Sequence, residues 1–239
     1  LTKYERGLSQ NTVQAVIQDQ YGFLWFGTWD GLNKYDGYSY TIFNEETGLT
    51  NQNIQALAED EEGLIWIGTE EGLNVYDREA DTFSSFYHDY QNSNSLVNNR
   101  IRSLLVDREG KIWIGTSRGI SRYDKQSKQF RNYRHDISDS ASLLSNWVNE
   151  IYQDENGTIW IATYLGLNRY NAEKDNFERF YNLPDVPDDE SFFCIEGIDK
   201  ETLALGGKYG FYILNTRTFE CTLHSEQPGN PVSPSAAFV

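Results

Sequence analysis

The chain has 239 residues, a formal net charge of −16, 38% apolar residues and 15% aromatic ones. That length suits one large all-β domain or two small ones, and a low apolar fraction with many Trp, Tyr and Phe suits strands better than helices. The acidic excess disfavours nucleic acid, anionic lipid and polyanionic sugars, all of which are held by Lys and Arg, and no apolar run approaches the roughly 18 residues of a membrane span.

Residues 1–4 (LTKY) align with 83–86, 130–133 and 177–180, which close later repeats, so they read as an orphan outer strand. The opening LTKYERGLSQ holds no basic segment and no apolar signal core, so a leader peptide is expected to be either lacking or already removed. A recurring unit follows. It reads DQYGFLWFGTWDGLNKYD at 19–36, DEEGLIWIGTEEGLNVYD at 60–77, DREGKIWIGTSRGISRYD at 107–124 and DENGTIWIATYLGLNRYN at 154–171. Each copy places an Asp six residues before a Trp, a Thr three after it, a Gly six after and a Tyr ten after. Trp25, Trp66, Trp113 and Trp160 lie 41, 47 and 47 residues apart, a period that means a repeat architecture. A worn fifth copy, 199–215, has Ala204 in place of the Trp and Gly207 in place of the Thr.

The third copy predicts four strands. Residues 101–106 (IRSLLV) form the first, and the Asp-x-x-Gly turn leads to a second at 111–116, apolar on both faces. A third follows at 120–123 and a half-exposed fourth at 129–133. Such a meander, buried at its centre, is a propeller blade. The expected fold class is therefore an all-β β-propeller of four-stranded antiparallel blades at 13–43, 54–86, 101–133, 148–180 and 192–223, in one domain. The four tryptophans, with Tyr35, Tyr76, Tyr123 and Tyr170, are expected in the repeat core, each indole wedged between neighbouring blades. A parallel β-helix is the runner-up, disfavoured by the hairpin turns. Connectors between blades read as solvated loops. Residues 224–239 read as a linker into a missing blade, so the chain is expected to be a piece of a larger ring whose open faces favour self-association. Cys194 and Cys221 fall on the first and last strands of one blade, on the order of 14 Å apart, too far for a disulfide.

The motif N-x-[VI]…D-x-x-G-x-[IL]-W-[IF]-G-T-x-x-G-[LI]-x-x-[YF]-[DN] resembles the two-component regulator propeller repeat. The opening GLSQNTVQAVIQDQYGFLWFGTWDGLNKYDGYSYTIF is similar to the start of the sensory region of hybrid two-component sensors. The resemblance implies seven-bladed rings, a β-sandwich, a membrane span and a cytoplasmic histidine kinase beyond this segment. It also implies a periplasmic location and an oligosaccharide signal from polysaccharide breakdown.

In a propeller the connectors and the turns between second and third strands share one face. Non-repeating residues there are the binding candidates: Trp29, Asp30, Asn53, Glu70, Arg100, Arg118, Trp147 and Tyr164. Aromatic faces beside planar polar groups match a pyranose, which has an apolar CH face and equatorial hydroxyls. Asn11, Gln52, Asn99 and Asn146 recur at one position and read as turn caps. The turn aspartates Asp19, Asp60, Asp107 and Asp154 lack the six or more oxygens of a calcium site, and His88, His135 and His224 stand apart from any Cys or His. No metal, cofactor or catalytic residue is expected. The leading function is a non-catalytic sensing module. A propeller lyase or glycosidase, resting on Glu70, Glu71 and Asp30, and a plain protein-interaction propeller are the alternatives.

Overall fold

The computed structural model describes residues 3–5, 7–181 and 183–224. Residues 1–2 of the expected orphan strand, and the expected linker beyond His224, lie outside the described residues. The chain divides into two compact units, Leu1–Asn132 and Tyr133–Val239.

The first unit opens with β1 (Lys3–Glu5). Its first sheet continues with β2 (Val13–Gln18), β3 (Leu24–Thr28), β4 (Gly31–Tyr35) and β5 (Tyr40–Phe43). The second sheet is β6 (Ile54–Glu59), β7 (Ile65–Thr69), β8 (Gly72–Asp77) and β9 (Thr82–Phe86). The third is β10 (Ile101–Val106), β11 (Ile112–Thr116), β12 (Gly119–Asp124) and β13 (Gln129–Tyr133). Each is an antiparallel meander in chain order. Their first strands adjoin, β2 against β6 and β6 against β10, so fourth strands lie outermost. The initial segment is not an orphan: β1 pairs with β5, Lys3 opposite Ile42 and Glu5 opposite Tyr40. The outer edge of β5 offers unpaired backbone groups, and β1 covers them.

The second unit holds β14 (Val148–Gln153), β15 (Ile159–Thr163), β16 (Gly166–Asn171) and β17 (Asn176–Phe180), then β18 (Phe192–Asp199), β19 (Thr202–Gly207), β20 (Gly210–Asn215) and β21 (Cys221–His224). These form two further four-stranded meanders, with β14 against β18. The last strand begins only at Cys221, because Asn215 Oδ1 accepts the amides of Arg217 and Thr218 and Phe219 adopts a left-handed φ of 60°.

Trp25, Trp66, Trp113 and Trp160 are at most 2% exposed. Trp25 meets Phe43 of its own sheet and Tyr76 of the next, with ring centroids 6.0 and 5.7 Å away. Trp66 repeats this with Phe86 and Tyr123 at 6.2 and 5.9 Å. In the second unit Trp160 shares a cluster with Phe192, Ile195 and Leu203 of the following sheet. Tyr76 and Tyr123 are buried, whereas Tyr35 and Tyr170 are half-buried. Removing roughly 200 Å² of indole from water contributes on the order of 5 kcal/mol before chain entropy is counted.

The repeated Asp explains how each indole is held. Asp60 Oδ1 accepts the amides of Glu62 and Leu64, at 3.0 and 3.1 Å, and shapes the turn. Its Oδ2 accepts Trp66 Nε1–H at 2.9 Å. Asp19, Asp107 and Asp154 bind Trp25, Trp113 and Trp160 in the same way, at 2.7, 2.7 and 2.9 Å. In the first unit a cation from the next sheet reaches two of these buried carboxylates, Arg78 to Asp19 and Lys125 to Asp60. The Gly of the W-x-G-T run admits a neighbour: a Cβ on Gly68 would stand 2.5 Å from Ile101 Cγ2. The Gly of the next turn is needed for its conformation, as at Gly72 with φ of 130°.

The fifth sheet is rebuilt rather than merely worn. Tyr212 is fully buried and donates its hydroxyl to Glu190, itself 2% exposed. Glu190 Oε1 also accepts the amides of Ser191 and Lys208, at 3.0 and 2.5 Å. A Cβ on Gly207 would lie 2.7 Å from that oxygen, so the repeat's Thr has no room there. Cys221 is buried in this sheet's core and Cys194 half-buried, both as free thiols; burial pushes the Cys221 thiol up to about 11.

The connectors are not simply solvated. Each of Leu49, Leu96, Leu143 and Leu183 is buried in the core, because a leucine there covers apolar surface that the sheets leave open. His88 Nδ1 and His135 Nδ1 hydrogen-bond Leu96 O and Leu143 O at 2.6 and 2.7 Å. Arg179 Nε donates to Ser142 O at 2.8 Å. The first connector forms a 3-10 turn, Glu45–Thr47, capped by Asn44.

Asp60 and the half-buried Glu150 each give a prediction. Asp60→Ala should cost about 2–4 kcal/mol in urea unfolding, since it orphans an indole and two amides, while Glu61→Ala in the same turn should stay within about 0.5 kcal/mol. Glu150, on β14, accepts the Ile195 amide at 2.6 Å, yet burial pushes its carboxyl up to about 7. The folded state therefore prefers the protonated form, and stability should fall as pH rises from about 4.5 to about 7, then level off. Glu150→Gln should remove that slope and raise stability at pH 8 by roughly 1–3 kcal/mol, with a smaller gain at pH 4.5.

A candidate ligand-binding rim

In the second to fifth sheets the turn between second and third strands lies beside the residue that precedes the first strand. Glu70 N donates to Asn53 O at 3.3 Å, Ser117 N to Arg100 O at 3.1 Å, Tyr164 N to Trp147 O at 3.1 Å and Lys208 N to Ser191 O at 3.1 Å. The turns are held from within by the repeated Thr: Thr69 Oγ1 donates to Gly72 O and accepts Glu71 N. The side chains that the sequence reading singled out therefore stand along one rim in each unit, on a rigid base.

In the first unit, Trp29 is 51% exposed and Asp30 is exposed beside it. Their turn is tied to the next connector by Gly31 N donating to Gln52 O at 2.7 Å. Asn53 Oδ1 accepts Gln55 Nε2 at 2.6 Å. Glu70 and Arg100 come together as an ion pair, Oε2 to Nε 2.6 Å, across two neighbouring sheets. Both groups remain partly exposed, so the pair contributes about 0–1 kcal/mol and serves mainly to orient the guanidinium. Arg118 is exposed in the turn beside Arg100, its amide bound to Thr116 Oγ1 at 3.0 Å. In the second unit Trp147 and Tyr164 stand together, with Trp147 Nε1 donating to Asn149 Oδ1 at 3.1 Å.

Asn99 and Asn146 act on the connectors rather than on their own turns. Their Oδ1 atoms accept His88 N and His135 N at 2.5 and 2.7 Å, which pins the entry of each connector to its exit.

Sequence reasoning missed one set of rim residues. All five first strands carry a β-bulge one residue in, between Val13/Ala15, Ile54/Ala56, Ile101/Ser103, Val148/Glu150 and Phe192/Cys194. The extra residues are Gln14, Gln55, Arg102, Asn149 and Phe193. A bulge re-aims a side chain and recurs at functional edges. The sequence carries no signal for it, since the residues at this position and the one after it vary among the copies. Burial, and after it the charge of Arg100, pulls the Arg102 guanidinium below its usual range; Glu70 opposes the shift.

The profile of the two component regulator propeller family matches residues 7–30, 48–71, 95–118 and 142–165. Each match runs from the end of a connector through two strands and stops in the rim turn. A histidine kinase P4 of Formosa agariphila is 54% identical over 37 residues, covering 16% of this chain and 3% of the relative. A solved chain named as the extracellular domain of a hybrid two component system of B. thetaiotaomicron aligns over 93% of this chain and 32% of its own, at 27% identity and a TM-score of 0.78. A second such domain from B. thetaiotaomicron aligns over 98% and 36%, at 20% identity and a TM-score of 0.66. This chain thus spans about a third of the length of those domains. Virginiamycin B lyase from Staphylococcus aureus shares the fold at 13% identity, with a TM-score of 0.69 over 97% of this chain and 75% of that one. Four of the five sheets described thus carry the two component regulator propeller repeat.

Proposed function

We propose that this chain is a non-catalytic, ligand-sensing part of a two-component sensor, placed in the periplasm. We propose further that its signal is an oligosaccharide released from a polysaccharide. The observation that carries the reading is the division of labour along the repeat. Recurring residues build the wedge and the turns, while those on the rim differ from sheet to sheet and combine exposed aromatics with Asn, Glu and Arg. Binding sites on repeat scaffolds are made in this way.

The partners follow from the same reading. They are further blades of the same ring, kinase domains of the parent chain and a second copy of the sensor. A bound sugar would act by differential affinity for two arrangements of that assembly, since a ligand indifferent to them shifts nothing. One finding supports the extracytoplasmic placement: the solved domain that is 27% identical is an extracellular one.

A thermal-shift screen tests the proposal. A ligand at a hundredfold excess over its Kd stabilises by about 2.7 kcal/mol, which for a chain of this size raises Tm by roughly 5–10 °C. At least one oligosaccharide from a panel of plant, algal and host glycans should do so, and Arg118→Ala or Trp29→Ala should reduce the shift. No response to any member of the panel would contradict the sugar signal.

A further inference from the structure

We infer that the rim of the fourth and fifth sheets is a stacking subsite for a neutral sugar ring, an inference that rests on the oligosaccharide reading above. Five apolar side chains stand exposed there: Trp147, Tyr164, Leu165, Phe193 and Tyr209, between 37% and 58% exposed. They come from two rim turns, one bulge and one strand entry. Apart from the adjacent Tyr164 and Leu165 they are distant in sequence, so the fold and not local composition gathers them.

The base beneath them is fixed by hydrogen bonds. Tyr164 N donates to Trp147 O, and Ser191 Oγ donates to Tyr164 O at 2.6 Å. Asn149 Nδ2 donates to Phe192 O at 2.7 Å while its Oδ1 accepts the Trp147 indole. The fifth turn is held from below by buried Glu190 through the Lys208 amide. The departure of the fifth sheet from the repeat therefore has a local consequence: Gly207 makes room for that carboxylate, and the carboxylate sets the turn that presents Tyr209. Aromatic groups held in place before binding lose little freedom when a ligand arrives.

The polar groups at this rim select the class of sugar. Asp189 Oδ2 accepts both Lys208 Nζ, at 2.6 Å, and the Tyr209 hydroxyl, at 2.8 Å. The Lys208 charge is thus already balanced. Arg169 is paired with Glu178, and Arg179 is spent on the connector at Ser142. A carboxylated or sulfated sugar would meet the Asp189 carboxylate with no spare cation among the described residues of this rim. A neutral pyranose would instead set its CH face on an aromatic ring and its hydroxyls against Asp189 and Lys208.

Calorimetric titration of the chain with neutral oligosaccharides of glucose, mannose, xylose and galactose, and with oligomers of uronic acids, tests this. One neutral series should bind. Phe193→Ala and Tyr164→Ala should each weaken it about tenfold or more, the loss typical of an aromatic anchor. Tyr164→Phe, which keeps the ring, should stay within about twofold, and all three variants should keep the parent Tm because the side chains are exposed. Neutral binding that Phe193→Ala and Tyr164→Ala leave unchanged would overturn the stacking subsite and spare the oligosaccharide reading. Binding of uronic oligomers alone would overturn the neutral class. Binding of neither would bring down the oligosaccharide reading and the subsite with it.

Discussion

A single carboxylate in each of four sheets couples a turn to a core. One oxygen of Asp19, Asp60, Asp107 or Asp154 takes the amides of its own turn, and the other takes an indole N–H six residues on. The turn cannot change shape without moving the Trp, and the Trp cannot move without opening the packing between sheets. A buried carboxylate is costly unless its lone pairs and charge are met. Here the amides and the indole meet the lone pairs. In the first unit Arg78 and Lys125 also bring charge from the adjoining sheet, so the same group that orders one sheet helps to fasten the next.

That economy leaves the opposite end of each sheet free to vary. The Thr of the second strand and the Gly of the rim turn hold the backbone, so the side chains between them can differ from sheet to sheet. The bulge in each first strand adds one more position whose residue varies among the sheets. Such sheets present unlike residues on a common base, and the proposed recognition of a sugar rests on that arrangement. The histidines do not stand on this rim: His88 and His135 bind connector carbonyls and His224 stacks on Phe211 of the outer strands.

Much of the fold was legible because the repeat prints its own geometry. The spacing of Asp, Gly, Trp, Thr and Gly marks two turns and the strand between them, and the antiparallel meander follows. What stayed hidden were partnerships between distant residues. The repeated Asp reads as a turn former, and nothing in its spacing discloses that its second oxygen binds the indole. The connector leucines look like loop residues because their neighbours are polar, yet Leu96 and Leu143 are fully buried. The fifth copy looks eroded because Glu190, which replaces the missing Thr, sits 17 residues before Gly207. On the rim, the sequence named Glu70 and Arg100 separately; only the fold pairs them. The bulged positions could not be read at all, since a bulge is a property of the ladder and not of the residue.

The coupling of turn to wedge is tested most directly by the indole protons themselves. In a proton–nitrogen spectrum of the six tryptophans, the Nε1–H groups of Trp25, Trp66, Trp113 and Trp160 should exchange with solvent deuterium only on the slow scale of large-scale opening. The exposed indole of Trp29 should exchange at once. Rapid exchange at Trp66 or Trp160 in the folded chain would contradict the account, because it would place in water a proton assigned to a buried carboxylate.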